Sequence, residues 1–339
     1  MPVSKIKATV LGTGSWASAL AQALLDNGHD VMMYGVDAGE IEDINVNHRN
    51  SRYFPDVVLP DAMRATGDAA LAMEGCELLL ITVPTKFVAS ALRTVKPYVK
   101  PGTIVINASK GFDPDTNARM SDTIRAVLGD CGIRSVASII GPSHAEEVIL
   151  RMPTAICAVS TDIDCARRVQ EIFSNDNLRL YINDDEIGAE YGVAMKNVIA
   201  LASGMMAGLG IGDNGRAALV TRGIAEMTRF GVAKGGRKET YMGLTGIGDL
   251  VVTCFSPHSR NYQAGLTIGS DDSAERFFRE NTRTVEGVYS CKVIYEDLLA
   301  NYDFEMPIIG SVYEILFRGG KPSVIVRELM RRPLVEEKL

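Results

Sequence analysis

A doubly wound, largely parallel α/β domain followed by an all-helical domain is what this sequence predicts. Three observations carry the prediction. Short apolar runs alternate with helical patterns through the first half of the 339 residues. A glycine-rich turn joins the first of those runs to the first helix. From Glu186 onward the apolar residues recur only at helical spacing, and no convincing strand remains. A chain of this length is expected to form about two domains. Their limits are expected at 1–184 and 185–332, with a loose tail at 333–339.

The first element runs from Lys5 to Leu25, KIKATVLGTGSWASALAQALL. Ile6 to Leu11 is the size of a buried strand, and Leu20, Ala21, Leu24 and Leu25 recur at helical spacing. Between them, Gly12-Thr13-Gly14-Ser15-Trp16-Ala17 reads G-x-G-x-x-A. Gly12 permits the tight turn out of the strand, and Gly14, without a Cβ, lets the backbone approach a pyrophosphate. Ala17 lets helix and strand pack closely. The unpaired N–H groups of the helix N-terminus then face the phosphates. This is the pattern of a Rossmann-type dinucleotide site. Asp30 to Gly35 (DVMMYG) reads as the second strand. Asp37 follows it, 20 residues beyond Ala17. It is placed either to bind the adenosine ribose hydroxyls or to cap a helix over AGEIEDI. Residues 45–60 look irregular, with Pro55 and Pro60 as breakers.

Glu77 to Val83 is a third strand, ended by Pro84. A helix over 86–96 follows, bringing Lys86 and Phe87 to the end of the sheet where ligands bind. Thr103 to Ala108 and Val136 to Ile140 are further strands. They are followed by Ser109-Lys110-Gly111 and by Gly141-Pro142-Ser143-His144-Ala145. Thr154 to Ser160 and Leu178 to Ile182 extend the sheet. In the second half, helices fit 186–209, 215–234, 259–268, 272–280, 285–300, 308–318 and 322–331. The active site is expected in a cleft between the domains.

Composition narrows the function. Thirty-five basic and 42 acidic residues leave a net charge of -7, which argues against a general nucleic-acid or anionic-membrane partner but permits a local basic pocket. Six cysteines without C-x-x-C, and four scattered histidines, suggest reduced thiols in a cytoplasmic protein and no metal site. The start MPVSKIKATV has no signal-peptide h-region, and no apolar run reaches membrane-spanning length.

Several residues could carry chemistry. Lys196, flanked by Ala194, Met195, Val198 and Ile199, either snorkels to solvent or sits in a cleft. Asn197 beside it can donate and accept. Lys110 is a solvated loop lysine or a ligand-side cation. Gly243 to Leu250 (GLTGIGDL) is glycine-rich, so backbone can approach something closely there, and its Asp249 is a helix cap or an active-site acid. Ser259, Arg260 and Asn261 are a solvated helix start or a phosphate site built on the planar fork of arginine.

Taken in order, these segments resemble the bacterial-type NAD(P)-dependent glycerol-3-phosphate dehydrogenases. The matching motifs are LGTGSWASALA (11–21), ITVPTKF (81–87), NASKGF (107–112), GPSHAEEV (141–148) with MPTA (152–155), and AMKNVIALASGMMAGLG (194–210). They continue through NGRAALVTRGIAEM (214–227), TYMGLTGIGDLVVTC (240–254), SRN (259–261), VEGVYS (285–290) and EMPI (305–308). The resemblance implies that Lys196 is the acid/base, exchanging a proton with the oxygen on C2 as dihydroxyacetone phosphate and glycerol 3-phosphate interconvert. It implies that Lys110, Asn197, Asp249 and Thr253 line the same pocket, with Lys110 and Asp249 in the catalytic set. Gly141 and Ser143 would reach the substrate, and Ser259, Arg260 and Asn261 would hold its phosphate. Ser15, Trp16, Phe87, Ala145, Thr284 and Glu286 would contact the NAD(H) or NADP(H) cofactor, together with Lys110 and Arg260. It further implies a cytoplasmic homodimer supplying glycerol 3-phosphate for phospholipid synthesis. Many members carry Arg or His right after the second strand, whereas this chain has Val36-Asp37. Dual cofactor use is therefore expected, with NADH at least as good as NADPH unless His48, Arg49 or Arg52 folds back. Two rivals use fewer of these residues: another β-hydroxyacid-type dehydrogenase has no need of SRN, and a non-catalytic dinucleotide sensor has no use for Lys196, Lys110 and Asp249 together.

Overall fold

Eight strands form one sheet: β1 (Lys7–Leu11), β2 (Asp30–Tyr34), β3 (Arg64–Thr66), β4 (Leu78–Ile81), β5 (Ile104–Asn107), β6 (Ser135–Ile140), β7 (Thr154–Val159) and β8 (Leu178–Asn183). The structure, a computed structural model, describes residues 4–334, 336 and 337, so residues 335, 338 and 339 of the expected tail lie outside the described residues. The chain separates into two compact units, Met1–Glu186 and Ile187–Leu339.

In the first unit the strand order is β3-β2-β1-β4-β5-β6-β7-β8. Neighbours are parallel except β6 and β7, which pair antiparallel from Ser138↔Val159 to Ile140↔Cys157. The helices are α1 (Ser15–Asp26), α2 (Ala38–Glu42), α3 (Ala69–Ala72), α4 (Thr85–Val95), α5 (Met120–Leu128), α6 (Ala145–Val148) and α7 (Ile163–Phe173). Alternation along β4 explains why both faces are covered. Leu78 and Leu80 join Ala8, Val10, Ile104 and Ile106 in the cluster that includes α1 and α7. Leu79 and Ile81 join Val105 and Val136 in the cluster that includes α4 and α5. A parallel strand buried on both faces reads as a continuous apolar run, as ELLLITV does. The chain adds β2 and β3 on one side of β1 and then returns to add β4 on the other. That reversal is where such sheets open a crevice at their strand ends.

Five elements of this unit lie outside the sequence expectation: β3, α3, α5, single-turn α6 and α7, whose Cys165, Ala166, Val169, Ile172 and Phe173 are buried along one face. Edge strand β3 has only three residues, RAT, too few to show an alternating pattern. Helix α3 is a single turn capped by Asp68. Helix α5 is amphipathic, with Met120, Thr123, Ile124 and Leu128 buried along one face. The irregular 45–60 stretch opens with a π-turn over Asp43–Asn47 that ends at left-handed His48 (φ 50°).

The second unit contains α9 (Asp213–Ala233), α10 (Lys238–Tyr241), α11 (Asp249–Phe255), α12 (Arg260–Asp271), α13 (Glu275–Glu280), α14 (Glu286–Asn301), α15 (Pro307–Phe317) and α16 (Pro322–Met330). They follow α8 (Glu186–Gly208), whose first residue ends the first unit. The boundary expected near residue 270 is corrected. Helix α12 continues to Asp271 and stops at Asp272, which is left-handed (φ 49°). The Asp272 carboxylate accepts the backbone N–H and the hydroxyl of Ser323, each at 2.7 Å, so its side chain belongs to the start of α16.

Glu226, buried on α9, ties that helix to α15. Its carboxylate accepts the N–H groups of Ile308 (2.7 Å) and Ile309 (3.1 Å) in the first turn of α15. Burial pushes its pKa up to about 7, although those donors and Arg229 and Arg222 pull the other way. The folded state therefore holds this proton more tightly than the unfolded chain, whose value is 4.5. Stability contributed by the group is present at low pH and is lost as pH rises through the folded value. Urea midpoints of wild type and Glu226→Gln, measured across that window, are expected to diverge, with wild type losing ground as pH rises. Parallel midpoints would contradict this.

Candidate active site

Strands β1, β4, β5 and β6 are parallel neighbours, so the loops that leave their C-terminal ends share one edge of the sheet. After β1, Gly12 has φ +123°, and a Cβ there would lie 2.8 Å from Thr82 Oγ1, so geometry and space both require glycine. Gly14 occupies the cap position of α1 and supplies no side-chain cap. A Cβ on Gly14 would meet only the Tyr53 ring end, at 3.9 Å. Ser15 and Trp16 open the helix, and Ala17 is buried beneath it. Trp16 presents a buried indole N–H that makes no hydrogen bond. An uncapped helix start with room above Gly14 fits a dinucleotide pyrophosphate.

The other loops are shaped by local bonds. Asn107 and Ser109 bond reciprocally at 3.0 Å, and the Ser109 hydroxyl donates to the Val83 carbonyl at 2.6 Å, which fixes the turn that carries Lys110. Gly141 has φ +153°, and a Cβ there would come within 2.9 Å of the Ile156 backbone. Ser143 donates to the Gly141 carbonyl at 3.0 Å, and buried Ala145 begins α6. Phe87, half exposed on α4, lies under the Lys86 ammonium at 4.8 Å.

At the end of β2, Asp37 realises the cap alternative: its Oδ1 accepts the N–H groups of Gly39 (2.9 Å) and Glu40 (3.1 Å). Of the loop cations, Arg49 donates to the Pro55 carbonyl, whereas the Arg52 guanidinium lies 3.7 Å from Asp37. Asn50, which the sequence reading did not single out, donates to the Thr13 carbonyl (2.7 Å) and to the Ser18 hydroxyl (2.9 Å). It sews this loop to the glycine turn.

The second unit gathers a different set. Lys196 is 3% exposed, so it does not snorkel. Its ammonium donates to Asp249 Oδ1 at 2.5 Å and to Thr253 Oγ1 at 2.8 Å. The Thr253 hydroxyl in turn donates to the Asp249 carbonyl at 2.6 Å. The cap reading of Asp249 is corrected: Gly248 holds the cap position of α11, and the Asp249 carboxylate is turned to the lysine. Asn197 accepts from the Asn261 amide at 3.0 Å, and Asn261 accepts the Gly287 N–H at 2.9 Å. Thr284 and Glu286 flank this same start of α14. Ser259 caps α12, accepting the Tyr262 N–H at 3.2 Å, and exposed Arg260 is the first residue of that helix.

Close packing makes this gathering possible. A Cβ on Gly265 would lie 2.1 Å from the Leu201 carbonyl oxygen, and one on Gly269 would lie 2.1 Å from that of Met205. With Asn261 on Asn197, these contacts run in the same direction along both chains, so α8 and α12 are parallel. Arg216, in the 214–227 stretch, carries no role in the sequence expectation. Its guanidinium lies between the rings of Phe255 (4.6 Å) and Tyr262 (5.5 Å), bracketing the connection from α11 to α12. Burial pushes the nearby Cys254 thiol up to about 12, so it is no nucleophile. Among the described residues no cluster of His, Cys, Asp or Glu could hold a metal, and no helix is long and apolar enough to cross a membrane.

Two family models match the chain: the NAD-dependent glycerol-3-phosphate dehydrogenase N-terminus over residues 7–166 and the corresponding C-terminus over 185–327. A glycerol-3-phosphate dehydrogenase (NAD(P)+) of Listeria monocytogenes is 43% identical over 332 residues, covering 98% of both chains. That of Exiguobacterium sp. is 42% identical over 328 residues, covering 97% of this chain and 96% of the relative. The crystal structure of glycerol-3-phosphate dehydrogenase from Coxiella burnetii is similar at TM-score 0.89 and 32% identity, covering 97% of this chain and 99% of that one. A glycine turn suited to a dinucleotide, a buried lysine–aspartate pair and full-length likeness lead to one conclusion: the chain belongs to the NAD-dependent glycerol-3-phosphate dehydrogenase family.

Proposed function

We propose that this protein catalyses the reversible reduction of dihydroxyacetone phosphate to sn-glycerol 3-phosphate, with Lys196 as the acid/base. The observation that carries the assignment is the buried trio of Lys196, Asp249 and Thr253. Burying an ammonium and a carboxylate is costly, and a hydrophobic pair of the same volume would often serve stability equally well. An orientated proton donor in a water-poor site gives the arrangement a chemical purpose.

The cofactor, NAD(H) or NADP(H), supplies or accepts the hydride at C2 when bound. Gly12, Gly14 and the first turn of α1, with Ser15, Trp16 and Ala17, would hold its pyrophosphate side. Phe87, Ala145, Thr284 and Glu286 are its further proposed contacts. Lys196 gives a proton to the C2 oxygen as the ketone becomes an alcohol, and takes it back in the oxidative direction. Its positive charge stabilises the alkoxide character that develops on that oxygen. Asp249 and Thr253 aim the ammonium, since each accepts one of its hydrogens. Lys110, Gly141, Ser143 and Asn197 are proposed as further substrate contacts. Ser259, Arg260 and Asn261 would take the phosphate, where a helix start and an arginine fork favour an anion. A non-catalytic sensor would have no use for the buried trio. The resemblance supports extending this proposal to a cytoplasmic homodimer that supplies phospholipid synthesis.

Lys196→Ala is expected to lower kcat by ~10²–10⁴-fold, the usual contribution of a general acid or base, while cofactor Kd changes little. Near-wild-type kcat would remove the assignment. Arg260→Ala is expected to raise KM for dihydroxyacetone phosphate by about tenfold or more, because a charge-assisted bond to an anion is worth roughly 1.5–3 kcal/mol. Unphosphorylated dihydroxyacetone, a poor substrate throughout, should scarcely register the change. Equal losses on both substrates would reassign Arg260, and cofactor Kd measured alongside separates an effect on the dinucleotide.

A further inference from the structure

We propose that Arg52 is the counter-ion for the 2′-phosphate of NADP(H), and that Glu40 sets cofactor preference by competing for it. The inference rests on the dinucleotide reading of the glycine turn and concerns the end of β2, where the ribose 2′-position is read in sheets of this kind. Val36, the first side chain past that strand and its glycine, is 91% exposed and carries no donor. The charged groups that face one another there are Asp37, Glu40 and Arg52.

Their bonding is unequal. Glu40 is anchored: its side chain is 11% exposed, one oxygen accepts the Thr13 hydroxyl at 2.5 Å, and the other accepts Arg52 at 3.0 Å. Thr13 is the middle residue of the G-x-G turn, so Glu40 is fixed to the pyrophosphate end of the site. Arg52 is 65% exposed and stands 3.7 Å from the second oxygen of Asp37, whose first oxygen caps α2. The guanidinium also lies 5.5 Å from the centre of the Tyr53 ring, and the Tyr53 hydroxyl is the group nearest the missing Cβ of Gly14. Arginine, tyrosine and glycine turn are thus contiguous.

Two carboxylates against one guanidinium leave the cluster with one net negative charge, which suits the two hydroxyls of an NADH ribose. A 2′-phosphate brings close to two negative charges and needs a planar cationic fork. Arg52 is the cation within reach of Asp37, and that pair, exposed on both sides, is weak and screened. The bond of Arg52 to Glu40 is the stronger of the two, but the guanidinium end is exposed, so a doubly charged phosphate can compete with that single carboxylate for it. Glu40 itself cannot withdraw, because Thr13 holds its other oxygen. Dual cofactor use follows, with Glu40 as the brake on NADPH.

Two substitutions act in opposite directions. Glu40→Gln keeps an acceptor for Thr13 and removes the charge that competes for Arg52. Arg52→Ala removes the cation at an exposed position. The binding readout uses 2′,5′-ADP against 5′-AMP, followed by quenching of Trp16, the single tryptophan of the chain. The kinetic readout is the ratio of kcat/KM for NADPH to that for NADH with dihydroxyacetone phosphate. Both ratios are internally referenced, so partial loss of folded protein does not move them. Arg52→Ala is expected to lower both by about tenfold, the size of a lost charge-assisted contact, and Glu40→Gln to raise both severalfold. A shift below about twofold in Arg52→Ala, or a fall in Glu40→Gln, would overturn the inference while leaving the dehydrogenase assignment standing. Failure of wild type to bind either nucleotide would overturn the dinucleotide reading and this inference with it.

Discussion

The second unit is organised around a lysine ammonium taken out of water. Lys196 lies inside a helix whose neighbouring positions are fully buried, and its charge is tolerated because Asp249 stands at hydrogen-bond distance. Removing one partner of such a pair leaves an uncompensated buried charge, which typically costs about 3–5 kcal/mol. The pair therefore constrains everything that presents it. Helix α11 must begin at Asp249, Thr253 must follow one turn later to receive the same ammonium, and the glycine-rich Gly243–Gly248 stretch must bring the backbone in tightly. A Cβ on Gly246 would fall 2.2 Å from the Tyr241 carbonyl oxygen, so that approach is available to glycine alone.

Missing side chains do the same where α8, α12 and α14 meet. Where Gly265 and Gly269 meet Leu201 and Met205, the backbones of α8 and α12 are in direct contact. Gly287 adds a third backbone, since a Cβ there would lie 2.6 Å from the Asn197 carbonyl oxygen. Two amide side chains then suffice to link three helices, through Asn261 to Asn197 and Gly287 N–H to Asn261. Precision at Asn197 and Asn261 comes from the packing of small residues one and two turns farther along α12, and of Gly287 on α14.

Much of this was legible beforehand because it is local. The glycine turn, the doubly buried strands and the long helices each write their pattern within a few residues, and all were expected close to where they lie. The families of Lys196, Asp249 and SRN could be named by resemblance, but their residue patterns alone left two readings open for each. Burial rules out snorkelling for Lys196, and the cap position of Gly248 rules out the cap reading of Asp249. What could not be read was non-local. Asn50 gains its meaning from Thr13 and Ser18, more than thirty residues away, and Arg216 from two rings on either side of a later loop. Strand β3 and helices α3 and α6 were too short to carry a period, whereas α5 and α7 each have one buried face and were simply unclaimed.

The parallel alignment of α8 and α12 has an electrostatic result. Helix α12 starts beside the middle of α8, at Asn197, and not beside the beginning of that helix. The positive end of its dipole is thereby set next to the residue that follows Lys196, with Arg260 on its first turn. On a protein of net charge -7, that helix start is a local positive feature. The general field of such a protein disfavours an anion while a helix start favours one, and the two act over different distances. Added salt screens the long-range repulsion and exposed Arg260 alike, and affects least the first turn of α12 beside buried Ser259 and Asn261. What persists of anion capture at high ionic strength is then the share carried by that helix start and not by its arginine.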